Sequence, residues 1–137
     1  MTTDLTLVRD AIHNPTEPRH FMRLARPTHR VIASLAGVTL ASSTRVIKLK
    51  EVARDIYDPV CYFPREDVDM SKLARIEKST HCPLKGDTEY FDARVDGAPT
   101  AEAAWSYNRT LPFAQDIQNY VAFDTRRVQV TEFTTSE

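Results

Sequence analysis

The chain has 137 residues, the size of one domain, with 18 Lys and Arg against 19 Asp and Glu and a net charge of -1. That balance argues against a nucleic-acid-binding protein, which usually carries a basic excess. The three glycines, Gly37, Gly86 and Gly97, lie too far apart for the glycine-rich loop of a dinucleotide or nucleotide site.

The first thirteen residues are predicted to form an N-terminal helical extension. Asp4 is its candidate N-cap, and Asn14-Pro15 ends it. A basic stretch that begins within this extension is interpreted as part of a solvated arm and an edge strand, or alternatively as a surface that contacts anions. Its basic residues are Arg9, Arg19, Arg23, Arg26 and Arg30, with His13, His20 and His29 among them.

Alternating patterns and short apolar runs after residue 20 predict about eight short strands. Ala36-Gly37 and Asp96-Gly97 are typical of hairpin turns. Residues 67–73 predict a short helix capped by Asp67 or Asp69, and Thr110-Leu111-Pro112 opens another. The predicted strands lie at 20–25, 30–35, 38–40, 47–50, 60–63, 76–81, 91–95, 103–107 and 128–130.

These elements predict a single compact, mainly-β domain over residues 14–133, with a frayed tail at 134–137. Two splayed antiparallel sheets with short helical insertions would form an open sandwich or an incomplete barrel. No apolar run is long enough to span a membrane and no signal-peptide pattern opens the chain, so a cytoplasmic protein is expected. Cys61 and Cys82 are then expected as reduced thiols, and their spacing predicts neither a metal site nor a cofactor.

Three segments carry more polar and aromatic residues in fixed order than a scaffold needs. They are Tyr62-Phe63-Pro64-Arg65-Glu66-Asp67-Val68, Thr80-His81-Cys82-Pro83-Leu84-Lys85-Gly86-Asp87 and Ala104-Trp105-Ser106-Tyr107.

With these segments the chain resembles the family numbered 427 among the domains of unknown function, sometimes labelled nucleotidyltransferase-like. The family carries Tyr-x-Pro-x-x-Asp-Val, Thr-x-Cys-Pro-x-Lys-Gly and Ala-x-Trp-Ser-Tyr runs in this order, and the resemblance extends over about residues 14–133. It implies a tent-like β fold in which two sheets splay around a pocket, but no established activity. The residues do not support the label, because nucleotidyl transfer needs a Gly-Ser loop on the triphosphate and the chain has no Gly-Ser pair.

Cys82 and Lys85 allow two interpretations. The Lys85 cation could activate the Cys82 thiol as a nucleophile or bind an anion itself. Alternatively, Cys82 is a small buried hydrophobic residue under the Pro83 turn, and Lys85 extends outward. His81 would lie on the opposite face of an extended segment from Cys82, so the two are not expected to act together.

Trp105 and Tyr107 lie two residues apart and share one face of a strand. With Tyr62 they would form the wall of a small-molecule pocket, or else part of the sheet core. Asp67 is either a helix N-cap or a hydrogen-bond acceptor or general base at the pocket mouth.

The favoured hypothesis is a pocket that binds a small molecule, an anionic one included, through Tyr62, Asp67, Cys82, Lys85, Trp105 and Tyr107. The alternatives are an enzyme that uses Cys82, Lys85 or Asp67, or the nucleotidyltransferase-like activity that the family label suggests. A third hypothesis is a protein-interaction module that uses the arginine-bearing N-terminal stretch. Whether the protein catalyses a reaction or forms a homodimer is left open.

Overall fold

Twelve strands and three short 3-10 helices make up the computed structural model of the chain, which describes residues 9–134. Strands account for 55% of the described residues and helical turns for 10%. The strands are β1 Ile12–Asn14, β2 Glu17–Ala25, β3 Arg30–Leu35, β4 Val38–Ser43, β5 Ile47–Val52, β6 Val60–Tyr62, β7 Leu73–Ile76, β8 His81–Cys82, β9 Gly86–Ala93, β10 Thr100–Thr110, β11 Val121–Phe123 and β12 Gln129–Phe133. The 3-10 helices are Arg65–Asp67, Met70–Lys72 and Pro112–Ile117.

The strands pair into three open antiparallel sheets, which confirms the mainly-β prediction with short helical insertions. The first sheet has the order β1-β2-β5-β6, the second β11-β10-β9-β7 with β8 on β9, and the third β12-β3-β4. Two sheets were expected where three are found. Within the described residues no sheet closes into a barrel. The first and second sheets meet where Phe63 and Val121 exchange backbone hydrogen bonds of 2.8 and 2.9 Å.

Two apolar cores lie against these sheets, and three strands contribute to both. In β6 and its extension, Cys61 and Phe63 contact the first core, whereas Tyr62 belongs to the second. Strand β11 divides in the same way, because successive side chains of a strand point to opposite faces, and in β10 the change from the first core to the second falls between Ala104 and Trp105. The second core, which carries the candidate site, contains Met22, Ile47, Leu49, Tyr62, Leu84, Tyr107, Ala114, Ile117 and Ala122.

Two turn predictions and the strand positions around them are confirmed. Ala36-Gly37 joins β3 to β4, and Asp96-Gly97 forms a turn between β9 and β10. In β5 the buried Ile47 and Leu49 alternate with the more exposed Lys48 and Lys50, as their period of two predicts.

Three local predictions are wrong because the pairing of strands in the folded chain differs from what the local sequence suggests. Ile12–Asn14 is a strand paired with β2, not the end of a helix; residues 1–8 of that predicted helix lie outside the described part. The strand predicted at 76–81 instead begins at Leu73 and ends at Ile76, because Leu73 pairs with Ala93 of β9. The arginine-bearing β2 is an interior strand, flanked by β1 and β5, and not an edge.

The helix predicted over residues 67–73 is split by Val68. This residue is buried in the first core and pairs with Ala41, which interrupts the helical backbone. Asp69 caps the second 3-10 helix by accepting from the Ser71 N–H at 3.2 Å, whereas Asp67 closes the first. Of the predicted tail, residues 135–137 lie outside the described part.

Among the described residues, no helix has the length and apolar character needed to cross a membrane.

Candidate functional site

A cleft of about 550 Å³ is lined by side chains from the first and second sheets. Its inner part is formed by β2, β5 and β6 on one side and by β9 and β10 on the other. The lining residues there are His20, Leu49, Glu51, Val60, Tyr62, Lys85, Tyr90, Trp105 and Tyr107. Tyr57, Asp58, Lys78, Glu102, Asp124, Arg126 and Arg127 lie among those that line the rest.

A buried ion pair between Lys85 and Glu51 occupies the inner part of the cleft. Lys85 is only 7% exposed, and its ammonium donates a hydrogen bond to Glu51 Oε1. The second carboxylate oxygen, Oε2, lies 2.7 Å from Nε2 of His20. Burial raises the pKa of Glu51, but the Lys85 charge and the hydrogen bonds from Lys85 and His20 outweigh it and hold that pKa below its usual value.

Lys85 reaches this position through a tight hairpin between β8 and β9. Cys82 pairs with Gly86 across a turn at residues 83–85, which sends the fully buried Leu84 into the second core and Lys85 into the cleft. The Lys85 carbonyl accepts from the Leu111 N–H at 3.0 Å, which ties the turn to the chain after β10. The turn thus places the lysine of the Cys-Pro-x-Lys-Gly run inside the molecule.

Gly86 allows this hairpin to approach β10. Its φ is +121°, and a Cβ at this position would strike the Arg109 carbonyl and lie 2.8 Å from Thr110 Cα. Only glycine tolerates both the backbone angle and the close approach.

Three aromatic side chains surround the Lys85–Glu51 pair. Trp105 Nε1 donates to the Tyr62 hydroxyl at 3.3 Å, and the rings of Tyr62 and Tyr107 lie 6.3 Å apart. The ammonium of Lys85 is 5.5 Å from the centre of the Tyr107 ring, within cation–π range. Burial raises the pKa of both Tyr62 and Tyr107, so the two hydroxyls stay neutral.

Cys82 lies beside this cluster and not beside a free lysine. Its Sγ, a ring nitrogen of His20 and a carboxylate oxygen of Glu51 lie within 4.8 Å of one another. His81 is exposed and bonds to Asp87 at 2.7 Å, on the other side of the strand from Cys82, as the alternation of side chains predicts.

Asp67 lies apart from the cleft lining described above. Its carboxylate accepts from Ser43 Oγ at 2.6 Å and from the Arg45 guanidinium at 3.3 Å, which ties the first 3-10 helix to the end of β4. Of the six residues proposed from the sequence, Tyr62, Lys85, Trp105 and Tyr107 line the cleft, and Cys82 borders it.

His20 and Glu51 also line the cleft, although both lie outside the three sequence segments that indicate the site. A signal for Glu51 exists, because it continues the buried face of Ile47 and Leu49 at the next alternate position. His20 lies in the basic stretch for which the sequence predicts a solvated arm. Two arginines of that stretch fit the prediction, because Arg19 pairs with Glu17 and Arg26 pairs with Asp116 at the surface.

In the outer part of the cleft, two arginine side chains are more exposed than the one carboxylate that both of them contact. Asp124 is only 14% exposed and lies behind Arg126, which is 85% exposed, and Arg127, which is 43% exposed. Lys78 pairs with Glu102, and its ammonium lies 4.5 Å from the centre of the Tyr90 ring. The Asp124 carboxylate is therefore shielded by two guanidinium groups, whereas Glu102, which is 40% exposed, and Asp58 are open to solvent.

Comparison with known proteins gives one result. A family model described as a domain of unknown function, DUF427, and labelled NTP_transf_9 matches residues 23–134. No curated protein shows significant similarity to the chain.

Proposed function

Because the chain belongs to the DUF427 family, whose description states no activity, we propose its function from the geometry: the cleft binds a small organic anion with an aromatic or apolar body. One observation carries the proposal. Trp105, Tyr62 and Tyr107 converge on a buried, hydrogen-bonded Lys85–Glu51 pair at the inner end of a cleft of about 550 Å³. Apolar walls with a few convergent polar groups are typical of small-molecule sites.

The aromatic side chains would contact the body of the ligand. Trp105 is half-buried and its indole nitrogen is held by Tyr62, so its position is set before any ligand enters. Tyr90 lies directly across from Trp105 in the β9–β10 ladder and lines the same cleft. Rings held in place give contact area at little entropic cost.

The charge preference comes from the outer cations and not from Lys85 alone. Glu51 neutralises Lys85, whereas the guanidinium groups of Arg126 and Arg127 share the single carboxylate of Asp124, which compensates only one of the two charges. An anionic group would therefore meet the two guanidinium groups at the cleft entrance. The Lys85–Glu51–His20 cluster would orient a polar group further in.

The only tryptophan of the chain, Trp105, reports on binding through its own fluorescence. We expect benzoate to cause a saturable change in this fluorescence, and benzyl alcohol and benzylamine to bind more weakly, because they lack the negative charge. Equal or tighter binding of benzylamine, or no saturable change with any of the three probes, contradicts the proposal.

A matched pair of variants tests the charge. The double variant Arg126→Gln/Arg127→Gln should weaken benzoate binding about fivefold to tenfold, since each exposed charge contributes up to about 1 kcal/mol. Lys50→Gln removes an exposed cation from the opposite face of β5 and should leave benzoate binding unchanged.

A further inference from the structure

His20, Glu51 and Cys82 bring three different metal-binding atoms together at the inner end of the cleft. A ring nitrogen, a carboxylate oxygen and a thiol sulfur lie within 4.8 Å of one another, from strands β2, β5 and β8. We propose that these three side chains form a binding site for a divalent transition-metal ion of the Zn²⁺ class. The proposal stands whether or not the cleft binds an organic anion.

The set of donor atoms selects the class of metal. Zinc is bound by cysteine sulfur, histidine nitrogen and carboxylate oxygen, whereas Mg²⁺ and Ca²⁺ prefer oxygen ligands alone. Three protein ligands leave a coordination position for water or substrate, as in catalytic and not structural zinc sites. His20 and Glu51 both line the cleft, so that position faces it.

The side chains need small movements to bind an ion. His20 Nε2 and Glu51 Oε2 are 2.7 Å apart and form a hydrogen bond, which the ion would replace while the two groups separate slightly. Cys82 would bind as the thiolate, and the displaced protons pass to solvent.

A buried amide contacts the other nitrogen of the histidine ring. Asn14 is 5% exposed, and its Nδ2 lies 3.5 Å from His20 Nδ1. Its Oδ1 in turn accepts from the backbone and the hydroxyl of Thr16 at 3.1 and 3.0 Å. An ion on His20 Nε2 puts the ring proton on Nδ1, so the Asn14 side chain would have to rotate and present its oxygen as the acceptor that metal-ligating histidines regularly have.

Lys85 separates this proposal from the anion-binding one. Its ammonium holds Glu51 Oε1 and would repel a neighbouring dication. Lys85→Met should therefore bind the metal about tenfold more tightly than the natural chain, because the uncompensated Glu51 carboxylate gains a cation.

Cobalt provides the direct test, because Co²⁺ occupies zinc sites and is coloured. The full chain is stripped with chelator, kept reduced and titrated with Co²⁺ alone. We expect one equivalent to bind, with the visible bands of four-coordinate Co²⁺ and a near-ultraviolet thiolate-to-cobalt band, and Zn²⁺ to displace it. Cys82→Ser should abolish the thiolate band, and His20→Gln should weaken Co²⁺ binding by more than about tenfold.

Two variants at residues outside the proposed metal site serve as controls. Cys61→Ser removes the other cysteine, and His81→Gln removes the exposed histidine next to Cys82. Both should keep the full Co²⁺ spectrum. A natural chain that binds Co²⁺ without a thiolate band, or a Cys82→Ser variant that retains it, overturns the proposal.

A measurement on the natural chain alone covers the case in which a variant does not fold. Zn²⁺ should protect Cys82 from iodoacetamide, read by mass spectrometry, while Cys61 in the same molecule is unaffected. Equal alkylation of Cys82 with and without Zn²⁺ overturns the metal site. Rapid alkylation of Cys82 that requires His20 and ignores Zn²⁺ also overturns it, in favour of a thiol nucleophile with His20 as base.

Discussion

At the scale of single residues, the Glu51 carboxylate is the centre of the cleft. It is bound on one oxygen by Lys85 and on the other by His20, and only 14% of its side chain is exposed. A buried charge of this kind depends on its partners, since removing one leaves the other uncompensated. The chemistry proposed for the cleft therefore rests on a group that also affects stability.

Glu51 should make the stability of the protein depend on pH in the acid range. Its pKa in the folded chain lies below the ordinary value of 4.5, so its contribution to stability is fully present above that value. The contribution is lost as the pH falls through the lowered folded pKa. Urea unfolding of the natural chain and Glu51→Gln should show the natural chain losing more stability on acidification. The prediction is contradicted if the free energy of unfolding depends on pH in the same way for the two proteins.

Breaking the Lys85–Glu51 pair from one side should cost more than replacing both residues. Lys85→Met leaves a buried carboxylate and should reduce the free energy of unfolding by about 3–5 kcal/mol. Lys85→Met/Glu51→Leu removes both charges and should cost clearly less than the sum of the two single changes. Denaturant unfolding of the four proteins measures the coupling, and additive costs would show that the pair does not interact.

At the scale of elements, the turns determine which side chains enter the cleft. The β8–β9 hairpin directs Leu84 and Lys85 inward, and it does so because Gly86 allows contact with the β10 backbone. Gly86 thus lies both in a hairpin and in close contact with the β10 backbone. At Gly37, by contrast, no atom lies within 4 Å of the place that a Cβ would take.

Gly86→Ala should be among the most damaging single substitutions. The added Cβ meets backbone atoms of Arg109 and Thr110, and φ of +121° is unfavourable for alanine, so we expect a loss of at least about 3 kcal/mol. Gly37→Ala, at φ +78° with no neighbour within 4 Å, should cost only about 1–2 kcal/mol. If thermal unfolding shows similar losses of stability for Gly86→Ala and Gly37→Ala, the close approach of Gly86 to the β10 backbone is not what makes Gly86 necessary.

Ala36 offers a stabilising change. Its φ is +50°, a left-handed conformation that alanine adopts at a cost, and it precedes Gly37 in a two-residue hairpin turn. Asparagine is favoured there, so Ala36→Asn should increase the free energy of unfolding by about 0.5–1 kcal/mol. Differential scanning calorimetry would show a higher Tm, and an unchanged or lower Tm counts against this description of the turn.

At the scale of the whole molecule, the cleft exists because two sheets meet along a narrow contact. Phe63 and Val121 join them by two backbone hydrogen bonds, and the Phe63 ring packs edge-on against Phe123 at 5.5 Å. Tyr62, next to Phe63, faces the cleft from the other side of the strand. The position of the aromatic walls therefore depends on this junction.

Phe63→Ala should weaken both the fold and the cleft. Phe63 is completely buried, and its truncation should cost about 3–5 kcal/mol. Because Tyr62 holds the Trp105 indole, the variant should also shift the emission of Trp105 under native conditions. Val130→Ala, in a partly buried strand of the third sheet, serves as a control that should leave the emission unchanged.

Local patterning was sufficient for the mainly-β class, most strand positions and the Ala36-Gly37 and Asp96-Gly97 turns, because side-chain alternation and turn chemistry act over a few residues. The motifs also contain Tyr62, Lys85, Trp105 and Tyr107, which line the same cleft. Local patterns and motifs could not predict the arrangement into three sheets or the positions of His20, Glu51 and Asp67. They depend on pairing between strands distant in the chain, such as β2 with β5, and on which face of each strand is buried. That pairing turns His20 away from the solvated arginines around it and brings it beside Glu51 and Cys82, because burial and hydrogen bonding over the whole fold outweigh the local sequence around it.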